Sequence, residues 1–228
     1  MLSPARRHMM RVLAAEAAQQ IDEPLRHANG YELMLLKLAE DIRALKNVHS
    51  MERKAERKRE MLPYYAPWVS GVLSEGRGAQ DAVLMTVMVW KLDVGDIAGA
   101  LEIAHYALHH RLVMPDRYKR STPYLLAEDV ADAATRAHSA GQPVNIDHLL
   151  ATMELTDAED MPDQVRAKLH KIAGIVLRDS GKAEPALVHL KRALQLNNHC
   201  GVKKDIERLE SQLRKASASR YRNLTSRH

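Results

Sequence analysis

Phenylalanine is absent from this chain, and tyrosine and tryptophan together bring aromatics to only 4% of its 228 residues. Ala, Leu, Met, Lys, Arg and Glu dominate instead. These are the strong helix formers, so the composition points to an all-α protein. The single Cys200 excludes an intrachain disulfide and a cysteine-built zinc site, which fits a reducing compartment. Long apolar runs are missing too. The longest, residues 82–90, contains Thr86 and is far too short to cross a bilayer. The opening MLSPARRHMMRV has no sustained apolar core of the kind a signal peptide needs. A soluble intracellular protein without a membrane partner is therefore expected. Charge of one sign is nearly balanced. There are 34 Lys and Arg against 29 Asp and Glu, and the surplus is that of residues 211–228, which carry Arg214, Lys215, Arg220, Arg222 and Arg227 and no acid. Any hold on an anionic partner must come from local clusters or from that tail.

What is present is a repeated helical hairpin. Residues 181–194, GKAEPALVHLKRAL, repeat in register the Gly and both Ala-Leu pairs of residues 95–108, GDIAGALEIAHYAL, and each stretch follows an apolar segment long enough for a helix. Gly174, Leu177, Gly181, Ala186, Leu190 and Ala193 stand in the register of a tetratricopeptide unit, with small residues where two helices approach. The copies lie 86 residues apart, no multiple of the 34-residue period, so the chain holds two isolated hairpins and not a stacked solenoid.

Ser3-Pro4 is a helix start, and that first helix carries Arg6, Arg7 and Arg11. Tyr31, Leu35, Leu38, Ile42 and Leu45 form a heptad seam, which Val48, Met51 and Ala55 continue with a shift. Leu35, Leu38, Ile42 and Leu45 are thus the expected oligomer contacts. The block ERKAERKRE follows, and Pro63 and Pro67 in LPYYAPW are expected to end its helix and mark the boundary between an arm and a body. Residues 80–92 read as a buried helix starting at Asp81. Helices are expected over 124–139, 146–153 and 162–178, and a last one carries Val202, Ile206, Leu209 and Leu213. From Ser217 apolar periodicity stops, and a disordered basic tail is expected. The domains expected are an N-terminal DNA-binding and oligomerisation arm (1–62), a hairpin body (63–200), and a C-terminal helix with tail (201–228).

Catalytic signals are weak. His105 and His109 are four apart, but neither the Glu nor the third ligand of a metal site accompanies them, so no metal and no cofactor is expected. Gly71, Gly76 and Gly78 lack the GxxxxGK pattern of a phosphate loop. Glu128, Asp129, Asp132 and the acids of 157–160 could serve two-metal nuclease chemistry, though their spacing suits caps and solvated faces better. Basic clusters are the stronger sign. Arg6, Arg7 and Arg11 with Arg26, the block Arg53, Lys54, Arg57, Lys58 and Arg59, and the tail each offer contacts to phosphates.

The segments SPARRHMMRV, PLRHA, LPYYAPWV, GAQDAVLMTVMVWKLDVGDIAGALEIAHYAL, MPDQVRAKLHKIAG and GVKKDIERLE, spread over almost the whole chain, closely resemble the small terminase subunit of temperate tailed phages with cohesive-ended DNA. The resemblance implies a DNA-packaging protein of the host cytoplasm. It would recognise a packaging site on double-stranded viral DNA, assemble into a homo-oligomeric ring and deliver DNA to a large subunit that carries the ATPase. Family members are also labelled endonuclease subunits of terminase. Relatives carry a longer lysine- and proline-rich C-terminal extension where this chain ends in SASRYRNLTSRH. Two alternatives stand beside this reading: a metal-dependent endonuclease, and a helical adaptor for peptides with no DNA role.

Overall fold

A computed structural model describes residues 3–19 and 28–225, with side chains described over 3–17 and 30–218. The described residues form ten helices and no strand: α1 (Pro4–Gln19), α2 (Ala28–Lys46), α3 (Met51–Glu75), α4 (Ala82–Val94), α5 (Ile97–His109), α6 (Thr122–Ser139), α7 (Ile146–Thr156), α8 (Asp163–Asp179), α9 (Ala183–Leu196) and α10 (Lys203–Thr225). The fold is all-α, as the composition predicts. Contacts divide the chain between residues 122 and 123 into two compact units. Residue 62 lies inside α3, and residue 200 lies between α9 and α10.

In the first unit α1 starts as expected, with the Ser3 hydroxyl accepting from the Arg6 N–H at 3.3 Å. It lies on α3 at Gly71, where a Cβ would stand 2.2 Å from the Arg11 carbonyl oxygen. The shifted seam is two helices: α2 ends at Lys46, and α3 begins after Ser50, whose hydroxyl caps the Arg53 N–H. The shift at Val48 is therefore a turn of the chain, not a defect in one long helix.

The expected stop at Pro63 and Pro67 does not occur, since α3 runs through both. Pro67 lacks the amide that would have met the Pro63 carbonyl, and each interior proline costs roughly 3 kcal/mol. What offsets this is packing against α1, α2 and α4, which buries Tyr65, Pro67, Trp68, Val69 and Val72. Each large side chain so buried contributes about 1.5–3 kcal/mol, enough to carry the helix across both gaps. The LPYYAPW segment is thus core. Trp68 stacks on Tyr31 with ring centroids 5.8 Å apart, and Tyr65 meets Trp90 edge-on at the same separation. The Trp68 indole donates to Asp81 at 2.8 Å, while the other Asp81 oxygen caps the Val83 and Leu84 amides at 2.8 and 2.9 Å. Tyr65 donates to the buried Asp41 at 2.6 Å, and Lys37 pairs with the same carboxylate.

The two hairpins are α4–α5 and α8–α9, and their turns match bond for bond. Gly95 N–H bonds Leu92 O and Asp96 N–H bonds Lys91 O; Gly181 N–H bonds Arg178 O and Lys182 N–H bonds Leu177 O. In the second unit a Cβ on Gly174 would lie 2.7 Å from Leu190 and 3.1 Å from the Ala186 carbonyl, which makes it the point of closest approach between α8 and α9. The 86-residue offset between copies places Met88 where Gly174 stands and Ala104 where Leu190 stands. All four are buried, so large and small have changed places between the hairpins. Val202, just before α10, and Ile206 and Leu209 on it close the core over Leu177, Ala186 and Leu190. α10 continues as helix beyond Leu213, its last apolar heptad position, to Thr225.

Candidate nucleic-acid interface

Capping by Ser3 leaves Arg6, Arg7 and Arg11 on the first two turns of α1, all exposed. None of them engages an acid among the described residues. Arg7 and Arg11, one turn apart, line a recess of about 300 Å³ with Pro4 and Pro67. The recess is open and lined by two arginines and two prolines, a composition suited to a phosphate oxygen or a sugar face. Arg26 lies outside the described residues.

The basic block of α3 is split by its surroundings. Arg53 and Arg57 are exposed, Lys54 is half-buried, and Arg57 pairs with Glu60 at 2.9 Å across solvent, a contact of little energetic weight. Lys58 instead reaches Asp93 at 2.5 Å, and Arg59 donates to the Val94 carbonyl at 3.3 Å. Both cations sit at the C-terminal end of α4, where carbonyls without helical partners favour positive charge. They tie α3 to α4. Along α3 the block lies about 12–21 Å from Pro67 at about 1.5 Å per residue, so it is separate from the recess at Arg7 and Arg11.

Of the tail, Arg214 and Lys215 are exposed on α10; of Arg220 and Arg222 only the helical backbone is described, and Arg227 lies outside the described residues. Among the seam residues, Leu38 and Leu45 are buried within the first unit together with Met34, while Leu35 and Ile42 are half-buried. The large apolar side chains of α2 that stand exposed are Leu33 and Leu36, each 63% exposed, and α1 adds Met9 and Val12.

Two of the acids that could serve metal chemistry are held by a cation: Lys168 bonds Asp132 at 2.8 Å and lies 3.9 Å from Glu128. Among the described residues no three His, Cys, Asp or Glu side chains are placed to hold a metal ion. His105 and His109 are both exposed on α5. A groove of about 780 Å³ between α3, α4 and α5 is lined by Leu62, Ala66, Val69, Leu73 and Val87, and its charged lining residues Lys91 and Asp96 are bonded to each other at 2.5 Å. Sequence reasoning did not find the pair His170 and His189, whose Nδ1 atoms are 3.0 Å apart between α8 and α9. Burial, then the neighbouring His189, pushes His170 down to about 4, and burial lowers His189. Their nineteen-residue separation gives no motif; only the hairpin brings them together. No helix among the described residues is long and apolar enough to cross a membrane.

The family model of the phage small terminase subunit matches residues 35–164. The chain is 60% identical over 214 residues to the "Terminase, endonuclease subunit" of Escherichia phage P2, covering 94% of this chain and 87% of that protein. It is 27% identical over 208 residues to the "Probable terminase, endonuclease subunit" of Haemophilus phage HP1, covering 85% of this chain and 74% of that protein. No solved structure matches. With more than half of its length inside the family model and a relative of such identity over nearly its whole length, this chain belongs to the phage small terminase subunit family, proteins with a role in viral DNA packaging.

Proposed function

We propose that this protein recognises duplex DNA at the viral packaging site, acts there as a homo-oligomer and recruits the large terminase subunit that carries the motor. The observation that carries the DNA-contact part is the set of three exposed arginines on the first two turns of α1, two of them framing the recess with Pro4 and Pro67. Free guanidinium groups close together on one short helix neutralise several phosphates at once. A helix start presented in this way can also enter a groove, where phosphate contacts position and base contacts specify. An oligomer multiplies each weak contact by raising the effective concentration of the next. With Leu38 and Leu45 occupied inside the protomer, contact between copies falls to the outward side of α2, at Leu33 and Leu36 and the half-buried edges Leu35 and Ile42.

The test is binding of the purified chain to packaging-site and scrambled duplexes across a salt series. Changing Arg6, Arg7 and Arg11 to Ala is expected to remove the preference for the packaging site and to flatten the log–log salt slope by about 2–3. An unchanged preference overturns the assignment to α1 and moves it to Arg53 and Arg57. A second reading, that the protein itself cuts the packaging site, is favoured by the printed names of both relatives. Plasmid nicking with Mg²⁺ by the chain free of its large subunit decides it.

A further inference from the structure

Four helices end with the same two backbone bonds. The N–H of a residue in the left-handed region reaches back three residues and the next N–H reaches back five, at Gly95, Arg111, Gly141 and Gly181. Glycine adopts the positive φ without cost, whereas a Cβ there crowds the backbone. Arg111, at φ 57°, is the one non-glycine residue with positive φ among the described residues. The helix end that forgoes glycine is the one that carries an exposed cation.

The surroundings of Arg111 are built to the same effect. The Gln80 side chain donates to the Val113 carbonyl at 2.8 Å and accepts from its N–H at 2.9 Å, which lashes the segment before α4 alongside the end of α5. Gly78 donates its N–H to the Tyr106 hydroxyl at 2.8 Å and lies so close to His110 that a Cβ would stand 2.4 Å from the ring. This brings Arg77 to the same end of α5. The Thr122 hydroxyl bonds the Leu112 carbonyl at 3.1 Å and closes the loop between them, so that Lys119 returns there as well. Arg77, Arg111 and Lys119 are exposed, and none of them engages an acid among the described residues. On these two segments Asp81 is buried, leaving Asp116 as their exposed carboxylate.

We propose that this surface at the end of α5, centred on Arg111, is a second contact site for the phosphodiester backbone of duplex DNA. It rests on the reading of the protein as a DNA-contacting packaging subunit, and it acts without regard to base sequence. The guanidinium groups of Arg77 and Arg111 offer planar forks that match phosphate oxygens, and nothing in the two loops competes for them except Asp116.

The experiment compares the full chain with Arg111→Gly and with the double variant Arg111→Gly, Arg77→Gln. Glycine relieves the strained backbone, so Arg111→Gly is expected to raise Tm by about 2–4 °C, and lost binding cannot then be laid to misfolding. Affinity for packaging-site and scrambled duplexes is expected to fall alike, with the salt slope shallower by about 0.9 for each cation removed. The α1 triple-alanine variant is measured beside them. A wild-type chain that binds neither duplex overturns the DNA reading and this surface with it. Wild-type binding that is weakened by the α1 changes but untouched in affinity and slope by the double variant overturns this surface alone. Unchanged DNA affinity with lost recruitment of the large subunit overturns the phosphate assignment in favour of an acidic protein partner.

Discussion

His170 and His189 form a contact in which a side chain's protonation reaches into the packing of the α8–α9 hairpin. Both rings are half-buried and share a hydrogen bond at 3.0 Å, with Arg192 and Arg166 raising the cost of a further positive charge and Asp157 lowering it. His170 is held near 4 when folded against an ordinary value of 6.5, so between those two pH values the unfolded chain binds more protons than the folded one. Stability is then complete above about pH 6.5 and declines as pH falls toward 4. The Tm of the full chain is expected to drop between pH 7 and pH 5, and His170→Gln is expected to flatten that drop. Parallel Tm profiles for the two proteins would refute the linkage. Other single residues were legible at once: the caps Ser3 and Asp81 are read from side-chain type and position alone, because a cap bonds within its own turn.

At the level of helices, legibility follows the range of the cause. The approach of α8 and α9 at Gly174 is visible in the register of Gly174, Ala186, Leu190 and Ala193, since a hairpin brings residues together by local spacing. The path of α3 through Pro63 and Pro67 was not legible, because what offsets the missing amides comes from α1, α2 and α4, and no local pattern announces it. The heptad seam misled for a related reason: the apolar period continues across the turn at residues 47–50, although the helix does not. Two glycines separate local strain from packing. Gly174→Ala pushes a methyl to 2.7 Å from Leu190 in a filled core and is expected to cost about 1–3 kcal/mol in urea unfolding. Gly181→Ala meets no atom within 4 Å and pays only for its φ of 75°, about 1 kcal/mol. Equal costs for the two would show that the α8–α9 crossing has slack.

For the whole molecule, the exposed Leu33 and Leu36 distinguish assembly from folding. Replacing both with Glu is expected to lower the particle mass seen by light scattering while helicity is kept, whereas Leu38→Glu, buried in the protomer, is expected to lose helicity. An unchanged mass with Leu33 and Leu36 altered would move the contact between copies elsewhere. Removing residues 217–228 takes away Arg220, Arg222 and Arg227 and is expected to weaken packaging-site and scrambled DNA alike, with a salt slope shallower by about 3. A loss confined to the packaging site would give the tail a part in recognition. The candidate DNA surface was only half legible. Basic clusters show in the sequence, but the diversion of Lys58 and Arg59 to the end of α4 depends on a neighbour 35 residues away. The exchange of large and small between the hairpins, Met88 with Ala104 against Gly174 with Leu190, also limits which helices can replace one another. The turns match bond for bond, so a chimera cut there would join one hairpin's first helix to the other's second. Met would then face Leu in an overfull crossing, or Gly would face Ala across a void, each destabilising by several kcal/mol by about the measure of core substitutions. Each hairpin is therefore expected to be exchangeable only as a whole, its two helices matched to each other and to no other partner.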